Sequence, residues 1–443
     1  MGLSENIRFY AATDVGRMRD HNEDNYLVDK KLALFVVADG MGGHAAGEVA
    51  SALAVRIIHE ELRKERELIE HKARSEGARN PIREIAALLE HAVQRACARI
   101  HEEAKADSAK RGMGTTLSAL LIAGAYGYIA HVGDSRIYLL RDGRIQQVTE
   151  DHTVYNELLK RGKLTRDQID KVAQKNAITR AVGVYERVEV DTLTIEVLPG
   201  DQFLLASDGL HGYIAHTAEL EPYFEEEDEA VAANGLIELA NKKGGKDNIT
   251  AILVRLGQGD ARDSMRARML ALKRDILAKM PLFSRLQERE MLRIMQVAEV
   301  QTYEPGEVVV KEGDRGDELF IVLSGHVRIV RGDAVLSEAG TGEHFGEMAL
   351  IRAMPRSATV TAVSQSELIA LRRADFFEIL RKEHELAVKL LWQFLGVLAD
   401  RLDQTSRDLT VAREELAAED ITDQIFPDSD EASSRASSPG GAP

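Results

Sequence analysis

Cysteine is nearly missing from this chain: Cys97 is the only one among 443 residues. A single thiol cannot close an internal disulfide, which excludes a disulfide-stapled scaffold. No apolar run approaches the roughly 20 residues that a membrane-spanning helix needs. The opening stretch MGLSENIRFYAATD has no charged region followed by an apolar core, so no secretory signal is expected. Basic residues are in deficit, 57 against 73 acidic, for a net charge of −16. Phosphate repels a net anion, which argues against a general nucleic-acid binder, a local basic patch aside. What is present is ample apolar content, 44% beside 29% charged residues. That is enough for sizeable cores and rules out a uniformly disordered chain. At about 150 residues per domain, two or three domains are expected, in a cytoplasmic protein without a membrane span.

The chain changes character along its length. Residues 1–257 mix short apolar runs with amphipathic helices. Runs at 32–38 (LALFVVA), 117–123 (LSALLIA), 136–140 (RIYLL), 202–206 (QFLLA) and 249–254 (ITAILV) have the length of strands. Helical spacing appears at 45–62 and 82–104. Strands and helices alternate irregularly, which predicts α+β rather than repeated βαβ units. Residues 258–280 read as a basic helical linker ended by Pro281. From 302 to 371, within a domain set at 281–400, short strands with Gly every 6–12 residues suggest a small β-barrel or roll. Leu391, Leu395, Leu398, Leu402, Thr405, Leu409, Ala412 and Leu416 then repeat with a 3.5-residue period. Two readings stand for this extended helix, 401–420 included: a self-associating coiled-coil seam, or a long helix packing on its own domain. The acidic tail 421–443, rich in Ser, Pro and Gly, is expected to be disordered.

Five acidic motifs punctuate the first part: RDHNEDN (19–25), ADGMGGH (38–44), HVGDSR (131–136), ASDGLHG (206–212) and GGKDNIT (244–250). In three of them an apolar strand runs into an Asp. A lone strand-then-Asp-Gly is usually a turn. Carboxylates converging from several strand ends repel one another and raise each other's pKa. Hard divalent cations relieve that repulsion and take oxygen ligands. Two such ions about 4 Å apart activate a water and hold a phosphate oxygen.

Together with TDVGRMRDHNEDNY, MGTTLSALLI, TEDHT and ITRAVG, these motifs make residues 8–255 resemble the PPM (PP2C-type) metal-dependent protein Ser/Thr phosphatases in their bacterial form. The resemblance implies a four-layer α/β/β/α sandwich with two Mn²⁺ or Mg²⁺ ions between the sheets. Asp39 would bridge them, with the Gly40 carbonyl on one and Asp208 and Asp247 on the other. Glu23 and Asp24 would hold metal-bound waters or lie just outside. Arg19 would clamp the substrate phosphate with its forked donors. Asn248 would orient Asp247 or a water. The attacking group would be the metal-bridging hydroxide, acting on phosphorylated Ser/Thr proteins. Asp134 matches a third-metal carboxylate, but Gly212 stands where members often place a second Asp, so a third ion stays open. Met41 replaces the His of animal members, leaving a water or metal to protonate the leaving serine, and His44 reads as structural. Residues 153–180 match a mobile flap beside the site.

In the second part, HFGEMALIRAMPRSATV (344–360) sets a Gly turn, a short helical stretch and a returning arginine close together. Backbone N–H groups after Gly346 and the fork of Arg356 suit an anion. Glu347 suits a ribose hydroxyl. With GDRGDELFIVLSGHV before it, this stretch resembles the cyclic-nucleotide-binding domain. That implies an eight-stranded β-roll followed by a long C-terminal helix. Glu347 would bind the ribose, Arg356 the cyclic phosphate, backbone at 346–350 would assist, and Ser357 would add a phosphate or base contact. Ser there favours cAMP over cGMP. An acidic tail follows where bacterial regulators carry a helix-turn-helix, which argues against a transcription factor. The combined expectation is a Ser/Thr phosphatase regulated by a cyclic nucleotide. The alternative is an inactive nucleotide sensor or scaffold of the same fold.

Overall fold

Residues 34–38, LFVVA, are apolar at every position because the strand they form is covered on both faces. In the computed structural model, Leu34, Val36 and Ala38 point to one side and Phe35 and Val37 to the other, as a period of two requires. The structure describes residues 6–42, 46–74, 79–160, 168, 172, 174, 176–257, 261–352 and 354–425.

Two antiparallel sheets form the first part. One orders the strands Ile7–Asp14, Ile249–Leu256, Gln202–Ala206, Arg136–Arg141 and Arg144–Gln147. The other orders Asp24–Asp29, Leu34–Met41, Leu117–Ala123, Tyr126–Val132 and Asp191–Glu196, with Gly114–Thr115 beside Leu34–Met41. Phe35, Leu120 and Ile129 of the second sheet meet Leu139, Phe203, Ile252 and Val254 of the first. The outer face of the second sheet is covered by helices Ala46–Lys64 and Arg79–Ala106 through Ile58, Leu62, Leu89 and Val93. The outer face of the first is covered by helix Glu229–Lys242 through Leu236 and Ile237. Four layers, α/β/β/α, result. Each fully buried Phe or Leu contributes about 1.5–3 kcal/mol to this stack. The acidic run 225–229 is partly structural: Asp228 caps the Glu229–Lys242 helix, and Glu229 pairs with the buried Arg255.

The second part holds two four-stranded sheets around Phe320, Val322, Val327, Phe345 and Leu368, plus the short pair Arg315–Gly316 and Met354–Pro355. Helix Ala261–Lys279 is more than a spacer. Its Leu270, Ile276 and Leu277 are buried with Phe283, Ile294, Leu319 and Phe376. Its Lys273 is also buried, and Nζ donates to the carbonyls of Met295 (3.0 Å) and Ala298 at the end of helix Glu288–Val297. A cation there meets the negative end of the helix dipole.

The last helix runs His384–Ile425, so residues 421–425 are helical rather than part of a disordered tail. Residues 426–443 lie outside the described residues. The helix packs on its own domain over its first part and leaves heptad leucines exposed further on. Leu386, Leu390 and Phe394 pack on its own domain, while Leu391, Leu395, Leu402 and Leu409 of the heptad seam are exposed.

Candidate functional site

Strand pairing alone assembles the acidic site. Asp24 and Asp39 face each other across the Asp24–Asp29 and Leu34–Met41 strands. Strand Gln202–Ala206 ends at Ser207–Asp208, and Asp247–Asn248 precede strand Ile249–Leu256, which pairs with it. All of these lie at one end of the sandwich, where the two sheets part. The approach is close enough that only glycine fits at two points. A Cβ on Gly40 would lie 2.2 Å from the Gly47 carbonyl oxygen, and one on Gly209 2.0 Å from that of Asn248.

Asp24 is buried, and Asp39 and Asp208 beside it are half-buried. Asp39 is pushed well above the usual carboxylate range, first by burial and then by the charges of Asp24, Asp208 and Asp134. A hydrogen bond joins the Asp39 and Asp208 carboxyls, so the pair shares a proton when no cation compensates it. Burial also raises Asp24 and Asp134 to about 7. Glu23 is raised by burial against the opposing charge of Arg19. Arg19 Nη2 donates to Asp247 Oδ2 at 2.7 Å, with the arginine side chain 48% exposed.

This donor set fits divalent cations. Asp24 Oδ1 and Asp208 Oδ1 are buried without a hydrogen-bond partner, which is costly unless a cation completes them. Among the described residues, no three acidic, His or Cys side chains are already gathered around one point. The Asp39–Asp208 and Arg19–Asp247 bonds engage other oxygens of the set, Asp247 Oδ2 among them, and would have to open. Hard oxygen donors suit Mg²⁺ or Mn²⁺.

Neighbours that the sequence reading passed over hold the carboxylates. Ser207 Oγ and Thr250 Oγ1 both donate to Asp24 Oδ2, at 2.7 and 2.6 Å. Their signal was a hydroxyl at a strand end in otherwise apolar surroundings. Thr116 Oγ1 accepts from the Asp39 amide at 3.0 Å. Asn248 bonds Asp247 through its backbone and reaches further with its side chain. Its side chain accepts from the Glu23 amide and donates to the carbonyls of Val15 and His21, pinning the loop that carries Arg19. Its backbone amide is what holds Asp247 Oδ1, at 2.9 Å. His211 donates from Nε2 to the Asp134 carbonyl at 2.9 Å. A Cβ at Gly212 would stand 2.8 Å from the Asp208 carbonyl oxygen, so the tight backbone there disfavours the missing second Asp. His44 lies outside the described residues. Of the flap, helix Val154–Lys160 is described, as are residues 168, 172, 174 and 176–180.

An Asp whose folded pKa is raised binds its proton more tightly folded than unfolded. Its stabilising contribution is complete at low pH and is lost as pH climbs through the folded value. For Asp24 the window is about pH 4 to 7. Asp24→Asn, whose amide oxygen accepts the same two hydroxyls, is therefore expected to gain stability over the parent across that window in chelator. The gain is on the order of a few kcal/mol. Thermal midpoints of the two proteins at pH 4.5 and 7.5 check this, and a difference that does not grow with pH contradicts it.

In the second part, Gly346 takes φ +78° directly after strand His344–Phe345. Arg356 Nη1 donates to the Glu318 carbonyl at 2.9 Å, and its guanidinium lies 5.7 Å from the Phe320 ring centroid. Two glycines make the slot: a Cβ on Gly316 would fall 1.9 Å from Arg356 Nε, and one on Gly346 2.5 Å from Nη1. Glu347 is buried, and it lines a small cavity together with Phe394 and Val397 of the last helix and Met280 and Leu282. Ser357 is exposed, with its carbonyl accepting from Arg331. The structure thus brings Gly346 and Arg356 into contact.

A two-sheet sandwich with buried carboxylates at its open end, joined to a β-roll with an arginine slot, defines a two-module class: a metal-site hydrolase fold linked to a ligand-sensing fold. Residues 17–243 match the protein phosphatase 2C family model and residues 300–383 that of the cyclic nucleotide-binding domain. The chain belongs to the protein phosphatase 2C family and carries a cyclic-nucleotide-binding domain after it. It is similar to the serine/threonine phosphatase stp of Listeria innocua, 39% identical over 246 residues, covering 55% of this chain and 93% of that one. The protein phosphatase PhpP of Streptococcus pneumoniae is 36% identical over 252 residues, 56% of this chain and 97% of its own. The crystal structure of the Mycobacterium tuberculosis serine/threonine phosphatase PstP/Ppp superposes with a TM-score of 0.50 at 35% identity, over 57% of this chain and 99% of that one.

Proposed function

We propose that this phosphatase hydrolyses phosphoserine and phosphothreonine in proteins, with Mn²⁺ or Mg²⁺ at its carboxylates, under control of a cyclic nucleotide, cAMP in preference to cGMP. The observation that carries the reaction is the crowded Asp24, Asp39 and Asp208 group, with two buried unpartnered oxygens, beside the exposed fork of Arg19. Bound cations would be held by Asp39, Asp208, Asp247 and the Gly40 carbonyl, with Asp24, Glu23 and Asp134 around them. They would supply Lewis acidity for activating water and offsetting phosphate charge.

The chain's own residues do the rest. Arg19 exchanges Asp247 for the substrate phosphate, where its planar donors pair two oxygens at once. Asn248 holds the Arg19 loop in place during that exchange. Ser207 and Thr250 keep Asp24 Oδ2 engaged, so only Oδ1 faces the site. Met41 offers no proton to the leaving oxygen, so protonation comes from another source.

Support for the regulatory half is the Gly316–Gly346 slot around Arg356 and the buried Glu347 nearby. The exposed leucines at 391, 395, 402 and 409 fit pairing of two copies through the last helix. The test is phosphate release from a phosphoserine peptide with Mn²⁺, while cAMP or cGMP is titrated. Cation-dependent turnover is expected, with a change in kcat or KM at lower cAMP than cGMP. No turnover with either cation would reverse the catalytic reading, and turnover indifferent to both nucleotides would reverse the regulatory one.

A further inference from the structure

Charged contacts join the second module to the catalytic one at Arg83, which pairs with Asp375 at 2.7 Å, and at a less exposed knot around Arg289. Helix Glu288–Val297 lies on the edge strand Asp191–Glu196, with Leu292 against the inter-sheet core. Arg289 pairs with Glu150, and Arg293 donates to the Thr192 carbonyl. Both arginines are also shared with Glu383, at 3.5 and 3.1 Å. All four side chains are less than a quarter exposed, so the pairing is screened less than at an open surface.

Each end of this knot leads somewhere specific. Glu150 also binds Lys160 at 3.0 Å, at the end of the flap helix Val154–Lys160. Two residues on, His152 clasps Gly133 from both directions. Its Nδ1 accepts from the Gly133 amide at 3.0 Å, and its own amide donates to the Gly133 carbonyl at 2.7 Å. Gly133 immediately precedes Asp134 of the acidic site. At the other end, Glu383 is the non-helical residue (φ −116°, ψ 80°) between helices Arg373–Lys382 and His384–Ile425. The second of these helices lines, with Phe394 and Val397, the same small cavity as Glu347.

We propose that Glu383 and Glu150 share Arg289 as a transmission clamp. A turn at the 383 junction, driven by movement of the helix beside Glu347, changes how firmly Arg289 holds Glu150. Glu150 in turn sets the order of the flap root and of the Asp134 loop. Arg289 and Arg293 are positioning residues for the phosphatase, supplied by the sensing module. The part of this that concerns the nucleotide rests on the regulatory reading above; the clamp itself does not.

The experiment uses the full chain and the variants Arg289→Met, Arg289→Lys, Glu150→Gln and Glu383→Gln. Without nucleotide, amide exchange over 131–135 and 150–160 is expected to quicken about 5-fold or more in Arg289→Met and Glu150→Gln, and to stay near the parent in Arg289→Lys. The same two variants are expected to shift KM for a phosphopeptide with kcat less affected. With cAMP, Glu383→Gln is expected to keep the parent's calorimetric affinity and to lose the nucleotide's effect on KM, an effect of about 5-fold or more in the parent. If cAMP acts equally on the parent and on Glu383→Gln, the clamp is overturned while the regulatory reading survives. If cAMP leaves the parent unchanged but exchange quickens in Arg289→Met, the regulatory reading falls and the clamp stands. Unchanged exchange in both Arg289→Met and Glu150→Gln overturns the clamp.

Discussion

Asp39→Asn will lower kcat by about 10³-fold, the scale of losing a charge that meets the transition state directly. The substitution is close to isosteric, and the backbone at 39 is held independently of the side chain. The amide of Asp39 donates to Thr116 Oγ1, and its carbonyl accepts from Thr115 Oγ1. What changes is charge at the centre of the group, where Asp24, Asp208 and Asp134 all act on residue 39. Cation affinity should therefore fall, and the Mn²⁺ concentration for half-maximal activity should rise. In chelator at neutral pH the variant should melt no lower than the parent, because one of several mutually repelling carboxylates is gone. A Mn²⁺ titration of turnover, beside a thermal melt, measures both. Parent-like turnover would place the reaction elsewhere, whereas a lowered melting point would show that the loss came from misfolding.

The second large effect concerns the sensing module. Arg356→Ala should weaken cyclic-nucleotide binding by about 10²-fold or more, as expected for losing a charge-assisted bidentate contact with phosphate. Gly316→Ala tests the same site without deleting the charge. Its methyl would occupy the position of Arg356 Nε, so the guanidinium must leave its slot and give up the Glu318 carbonyl and the Phe320 face. A comparable loss of affinity is expected by calorimetry. Glycine at 316 is not required by its own backbone dihedrals, since its φ lies outside the left-handed region. Its requirement is steric, and an unaffected affinity in Gly316→Ala would mean that the arginine does not meet the ligand from this slot.

Much of the catalytic module was legible from composition and pattern. Runs such as LSALLIA are apolar at every position but one, Ser118, because both faces of the strand are covered, and the strand Leu117–Ala123 has the bounds read from the sequence. The acidic motifs could be ordered along the chain, and three of the five could be read as strand ends from the apolar runs before them. The hydroxyls on Asp24 were not legible. Ser207 and Thr250 are 183 and 226 residues away from it in sequence, and nothing local marks them as its partners. Only part of what Asn248 does was legible. An Asn beside an Asp looks like its orienting neighbour, and its backbone amide does hold Asp247 Oδ1, but its side chain reaches carbonyls at 15 and 21.

The lone cysteine, the absent apolar span and the surplus of acid were properties of the sequence alone, and so were the strand periods and the order of the motifs. These follow from near-neighbour sterics and from partition between water and protein interior. Among the described residues, no helix is long and apolar enough to cross a membrane. Part of the acid that produced the net charge of −16 is confined in one buried group, raised by its own crowding. That crowding, the glycine slot around Arg356 and the sharing of Arg289 between Glu150 and Glu383 were decided only by tertiary structure. Each depends on atoms brought within a few ångströms from distant parts of the chain. Electrostatic and steric energies change steeply over that range, while the sequence records only which residues are available to meet.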